Sequence, residues 1–181
     1  MIRLRRFFVT DIVEEVISVS EYLATSFRPD CELIDGQLVE RNVGEYDHSN
    51  LQGALVTWLR NRQRAWNIRV LPKQRIRIGE TQFRIPDISV VSRDQAIEAV
   101  FTHPPLACIE ILSKDDTLRS MQDRIDDYLE LGVANIWILD PVSRRAYVCT
   151  RGGLQEPAGG VLEAAESGIL ILLDEVFGDL D

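Results

Sequence analysis

The chain has 181 residues and only three cysteines, Cys31, Cys108 and Cys149, far apart and without a CxxC pair. That composition excludes a disulfide framework and a zinc ribbon, and it points to a reducing, cytoplasmic setting. Nothing approaches the run of ~18 apolar residues that a membrane helix needs. The opening MIRLRRFFVTDIVEE turns acidic before the apolar core of a signal peptide could develop. No membrane association and no secretion are expected. There are no internal repeats, no low-complexity tract and no long Pro/Gly/Ser linker, so residues 1–181 read as one domain. With 45% apolar and 27% charged residues, the chain can bury one ordinary core.

Positive charge is also scarce overall, since the formal net charge is -9. Its distribution is uneven. From Arg60 to Arg84 there are eight basic residues, Arg60, Arg62, Arg64, Arg69, Lys73, Arg75, Arg77 and Arg84, against one acid, Glu80. Charges beyond roughly 8–10 Å are largely screened at physiological salt, so a polyanion on this segment would feel little of the distant acids. Arg60, Arg62, Arg64, Lys73, Arg75 and Arg77 are therefore candidate nucleic-acid contacts, the alternative being a merely solvated face.

The elements alternate between helix and strand. Ser18-Val-Ser-Glu21 has the form of a helix start, the helix running to about Ser26. In Cys31 to Glu40, Asp35-Gly36 between apolar runs signals a hairpin, because that turn needs positive φ. Leu51, Ala54, Leu55, Trp58 and Leu59 recur at helical spacing within Asp47–Ala65. Ile68–Ile78 alternates as a strand, Phe83–Val91 reads as another, and Leu106–Leu112 is apolar enough to be central. Thr117–Leu131 is a second amphipathic helix stopped by Gly132, followed by a buried strand over 134–140. Arg144–Thr150, Gly160–Ala165 and Ile169–Leu173 are shorter strands. This order predicts an α/β (α+β) fold with a mixed central sheet flanked by helices, an N-terminal hairpin and extra C-terminal strands. The apolar run Gly168–Leu173 would either pair at an edge or, the favoured arrangement, pack on the same core.

Two acids lie inside apolar strand sequence: Asp87 in Phe-Arg-Ile-Pro-Asp-Ile-Ser-Val-Val, and Glu110 between Ile109 and Ile111. Carboxylates there are costly to desolvate unless paired or bound to a cation. If the two strands are neighbours, two hard oxygen ligands converge in a way that suits Mg²⁺ or Mn²⁺. The structural alternative is that Asp87 caps a bulge and Glu110 is bonded to an arginine. The metal reading fails if the acids lie apart, or if both are permanently engaged by arginines.

The order of these segments over residues 20–147 resembles the bacterial restriction-endonuclease-like (Uma-type) family of the PD-(D/E)XK nuclease superfamily. The resemblance is carried by Glu32-Leu-Ile-Asp-Gly-Gln-Leu-Val-Glu40, His48, Arg84-Ile-Pro-Asp87, Ile109-Glu-Ile-Leu-Ser113, Asp116-Thr117, Tyr128-Leu-Glu-Leu-Gly-Val133 and Ile136-Trp-Ile-Leu-Asp-Pro141. Residues 148–181 would then be a C-terminal strand extension. The resemblance implies a restriction-endonuclease-like sheet, metal binding by Asp87, Glu110 and the main-chain carbonyl of Ile111, and catalytic-pocket positions at Glu40, His48 and Gln74. It implies Mg²⁺-dependent hydrolysis of DNA, with homodimers a common arrangement among enzymes that cut both strands.

One departure is clear. The superfamily motif places lysine two residues after the second acid, where this chain has Leu112. Relatives often supply it from the next helix, where this chain has Arg124. Arginine keeps the charge but cannot readily release a proton. Lys114 is a second candidate. Two readings follow: a metal-dependent endonuclease, or a catalytically silent nuclease-fold protein that binds nucleic acid or a protein partner.

Overall fold

The computed structural model describes residues 16–41 and 45–180. The opening segment over which the signal-peptide reading was made, residues 1–15, lies outside them. The chain runs α1 (Val19–Ala24), β1 (Cys31–Ile34), β2 (Gln37–Glu40), α2 (Tyr46–Arg62), β3 (Ile68–Pro72), β4 (Ile76–Arg77), β5 (Phe83–Arg84), β6 (Ile88–Ser92) and β7 (Ala107–Ile111). It continues with α3 (Leu118–Leu131), β8 (Asn135–Asp140), β9 (Arg145–Thr150), β10 (Gly153–Gln155), β11 (Val161–Ala164), β12 (Ile169–Leu172) and α4 (Leu173–Gly178).

The strands form a mixed six-stranded sheet in the order β10-β9-β8-β7-β6-β3, a four-stranded sheet β2-β1-β5-β4, and the hairpin β11-β12. In the larger sheet only β7 and β8 are parallel, joined by the α3 crossover. Alternation along β7 sends Ala107, Ile109 and Ile111 into one core with Leu51, Leu55 and Leu59 of α2 and Val176 and Phe177 of α4. Cys108 faces the second core, with Met121, Ile125 and Tyr128 of α3. The C-terminal hairpin packs on the α2 side through Leu162, Ala164, Ile169 and Ile171.

Local signals explain several element ends. Asp35 and Gly36 both have positive φ (51° and 83°), which closes the β1–β2 hairpin. Thr117 and Ser120 form a reciprocal capping box at the start of α3. Gly132 ends α3 at φ 92° with open space where a Cβ would lie. Gly132→Ala therefore meets only backbone strain. It should cost about 1 kcal/mol and lower the melting temperature by ~2–4 °C, measured by thermal denaturation.

Two expected strands are each divided between sheets. Ile68–Ile78 breaks after Pro72, where Lys73 takes φ 53°, so β3 belongs to the large sheet and β4 to the small one. Phe83–Val91 breaks at Ile85-Pro86-Asp87, and the chain crosses there from β5 in the small sheet to β6 in the large one. Proline cannot donate to a ladder, which favours the break at that point.

Candidate active site

Register brings the two acids together. Ile88 lies opposite Ile109 and Ser89 opposite Cys108, so one further step sets Asp87 opposite Glu110. On the other side Pro72 lies opposite Ile88, which sets Lys73 opposite Asp87. Directly opposed residues on neighbouring strands share a face with Cβ atoms about 5 Å apart. Lys73, Asp87 and Glu110 thus form a row across three strands, under α3 and beside the junction with the small sheet.

Both carboxylates are buried, Asp87 at 0% and Glu110 at 1% exposure. Arg41, the residue after β2, reaches between them: its Nη2 donates to Asp87 Oδ1 at 3.1 Å and to Glu110 Oε2 at 2.9 Å. Asp87 Oδ1 also receives Lys73 Nζ. Its Oδ2 accepts the Ile111 amide N–H at 2.8 Å and lies 3.3 Å from His48 Nε2. Gln52 Nε2 donates to the Asp87 carbonyl at 2.8 Å. Glu110 Oε1 accepts the Tyr128 hydroxyl at 2.5 Å, and Arg124 Nη1 lies 3.8 Å from Oε2 while donating to Asp116 at 3.0 Å. Arg124 and Tyr128, four residues apart on α3, lie on the helix face that meets the sheet.

The two acids differ electrostatically. Burial alone would raise Asp87, but the His48 hydrogen bond and the charges of Arg41 and Lys73 outweigh it and hold the carboxyl far below the usual range. Burial pushes Glu110 up, Arg41 opposes that, and the negative charge of Asp87 adds to the rise. Two carboxylate oxygens within hydrogen-bond reach of one cationic nitrogen have the chemistry and spacing of a divalent-cation seat. Mg²⁺ needs only one or two protein carboxylates. The donor set therefore fits the metal, provided the Arg41 guanidinium vacates the position it shares with both acids. An open cleft of about 630 Å³, lined by Arg28, Asp30, Arg41, His48, Gln52 and Lys73, borders the side chains that cover the two acids.

The sequence-derived candidates divide. Asp87, Glu110, His48 and Arg124 meet here, and Ile111 joins through its N–H. Gln74 does not: its amide donates to the carbonyls of Ala99 and Arg75. Glu40 ends β2 exposed, and it is the following residue, Arg41, that turns inward. Lys114 is exposed and paired with Glu45.

The basic segment is not one face. Lys73 enters the acid row. Arg75 stacks on Tyr22 and donates to the carbonyls of Tyr22 and Thr25, and Arg77 donates to Gly79 and Glu80. Arg69 is held by carbonyls of residues 92–95, and Arg84 is buried between Glu32 and Asp127. Arg60, Arg62 and Arg64 lie at the far end of α2. His48 is in the first turn of that helix, ~20 Å away at 1.5 Å per residue.

Sequence reasoning missed Arg41, Glu32, Gln52 and the proximity of Lys73 to Asp87. One signal was available: the chain has only two lysines, Lys73 and Lys114, and only Lys73 falls within the alternating segment expected to pair beside the Asp87 strand.

The fold is that of a nuclease-like domain. A solved structure of similar shape is a putative nuclease belonging to DUF820 from Anabaena variabilis ATCC 29413, with TM-score 0.76 and 21% identity over 91% of this chain and 99% of that one. A DrdV–DNA complex matches at TM-score 0.41 and 22% identity over 70% of this chain and 11% of that chain. No curated protein matches. Residues 19–174 match the family described as "Uma2: Putative restriction endonuclease", and the chain belongs to that family. Among the described residues no helix is long and apolar enough to cross a membrane.

Proposed function

We propose that the protein is a divalent-metal-dependent endonuclease that hydrolyses DNA phosphodiester bonds. The observation that carries this is the convergence of Asp87 and Glu110 on one cation position behind the Arg41, His48 and Lys73 wall of an open cleft. Asp87 and Glu110 would hold Mg²⁺ or Mn²⁺, which supplies Lewis-acid activation of water and neutralises charge on the phosphoryl group. Lys73, 29% exposed at the cleft and hydrogen-bonded to Asp87, is the amine best placed to orient water, in place of the lysine missing at Leu112. Arg124 adds fixed positive charge against the scissile phosphate, and Arg28 lines the cleft for flanking phosphates. Three free, buried cysteines accord with a cytoplasmic setting.

The test is plasmid nicking with Mg²⁺ or Mn²⁺ by wild type, Asp87→Asn and Glu110→Gln. Each substitution is expected to reduce the rate by about 10²–10³ or more, and equal rates in all three would overturn the assignment. The second reading, a silent nuclease-fold binder, has one observation in its favour: Arg41 already neutralises both acids. It predicts DNA retention without nicking.

A further inference from the structure

Arg41 and Arg84 are both buried arginines facing acids, yet they are satisfied very differently. Arg84 spans two partners with two separate nitrogens, Nη1 to Glu32 at 2.8 Å and Nε to Asp127 at 2.5 Å. Arg41 puts a single nitrogen between Asp87 and Glu110, while its buried Nε and Nη1 have no hydrogen-bond partner among the described residues. Its approach to Glu32, at 3.7 Å from Nη1, is too long for a hydrogen bond. Arginine's strength as a permanent partner lies in its planar fork, and Arg41 does not use it. Buried donors left without partners call for an explanation other than stability.

The surroundings supply one. The Arg41 main chain is fixed by its N–H donating to the Asp30 carbonyl at 2.7 Å, while the side chain borders two spaces. One is the small pocket of about 10 Å³ it shares with Asp87, His48, Lys73 and Arg124. The other is the open cleft of about 630 Å³. A rotation of the side chain about that backbone would carry the guanidinium from one space to the other.

We propose that Arg41 is a built-in, displaceable cation: it fills the seat between Asp87 and Glu110 when no divalent metal is bound, and swings into the cleft when one enters. Divalent ions must then compete with an internal guanidinium, and metal affinity is set by Arg41 as much as by the acids. In the cleft the same guanidinium faces the position open to a phosphate backbone. This inference rests on the reading that Asp87 and Glu110 hold a divalent cation.

The experiment is calorimetric titration of the full chain with Mn²⁺ at pH 8, with thermal melts in EDTA and in Mn²⁺. It compares wild type, Arg41→Gln, Arg41→Met, Asp87→Asn and Arg84→Gln. Removing a unit charge this close to two carboxylates should tighten Mn²⁺ binding about tenfold or more in both Arg41 variants. Mn²⁺ should also raise their melting temperatures more than that of wild type. Asp87→Asn should lose binding, and Arg84→Gln should gain no rescue by metal. Arg41 variants that bind Mn²⁺ no more tightly than wild type, or not at all, overturn the proposal. So does failure of both to fold with and without Mn²⁺, because Arg41 would then be a permanent structural partner. Tight Mn²⁺ binding by Arg41→Gln with no nicking by any variant leaves the exchange standing and removes the endonuclease reading. Nicking by wild type with unchanged Mn²⁺ affinity in the Arg41 variants does the reverse.

Discussion

Asp87→Asn is expected to destabilise the fold by about 3–5 kcal/mol at neutral pH, the cost of removing one member of a buried ionic cluster. Its side chain faces Arg41, Lys73 and His48 and accepts the Ile111 amide. An amide leaves the buried Arg41 guanidinium, and the Lys73 amine beside it, with no countercharge on that side. Glu110→Gln should be milder, about 1–3 kcal/mol, the cost of one buried donor left without its acceptor. Its environment already disfavours the charged form, but a single amide oxygen can accept from only one of the Tyr128 hydroxyl and Arg41 Nη2. The two differ in pH dependence as well. Asp87 has a depressed folded pKa, so its contribution is complete above its ordinary value of 3.8 and is lost as pH falls below it. The gap between wild type and Asp87→Asn should therefore narrow below about pH 4. Glu110 has a raised folded pKa, so any stability it contributes is present below its ordinary 4.5 and lost as pH rises through the folded value. Glu110→Gln should thus improve relative to wild type as pH rises. Urea titrations from pH 3 to 8 on the three proteins measure both trends, and equal losses for the two variants at pH 7 would contradict the asymmetry.

The second large effect is expected at Arg84, which ties β1 to α3 from the end of β5. Arg84→Gln leaves Glu32, at 0% exposure, with its contact to the Ile85 amide and without its closest cation. It also frees Asp127, whose carboxyl burial already pushes up despite Arg84. The expected loss is about 3–5 kcal/mol at pH 7, on the order of 10 °C in melting temperature. Without Arg84, the Asp127 carboxyl, already pushed up by burial, binds a proton more readily in the folded state than in the unfolded one. The deficit should therefore shrink as pH falls from 7 to 5. A variant as stable as wild type at pH 7 would show that the pair is replaceable.

Much of the frame was legible because its signals are local. Asp35-Gly36, the Thr117 cap and Gly132 each act within a few residues, and the spacing of Leu51, Leu55 and Leu59 needs only helical periodicity. Asp87 and Glu110 stood out because a charge in an apolar strand demands an explanation. The breaks at Lys73 and at Ile85–Asp87 were hidden, since alternation continues across a point where the chain changes sheets. Arg41 was hidden for another reason. Its role depends on a hairpin end meeting strands 46 and 69 residues further along, and no short pattern records that meeting. The basic segment misled because seven of its eight members are held by the chain's own carbonyls or acids or lie at the far end of α2, leaving Lys73 at the cleft.

The row of Lys73, Asp87 and Glu110 makes this chain tolerant of length changes in some places and not in others. The connection from residue 93 to 106 can gain or lose a residue without altering which strand positions oppose one another. A single-residue insertion or deletion within β6 or β7 is different in kind. It would trade Glu110 for Ile109 or Ile111 at the row and drive a carboxylate into the leucine-lined side of the sheet. Natural variation in loop length should accordingly accumulate between these strands, while the strands themselves keep their count.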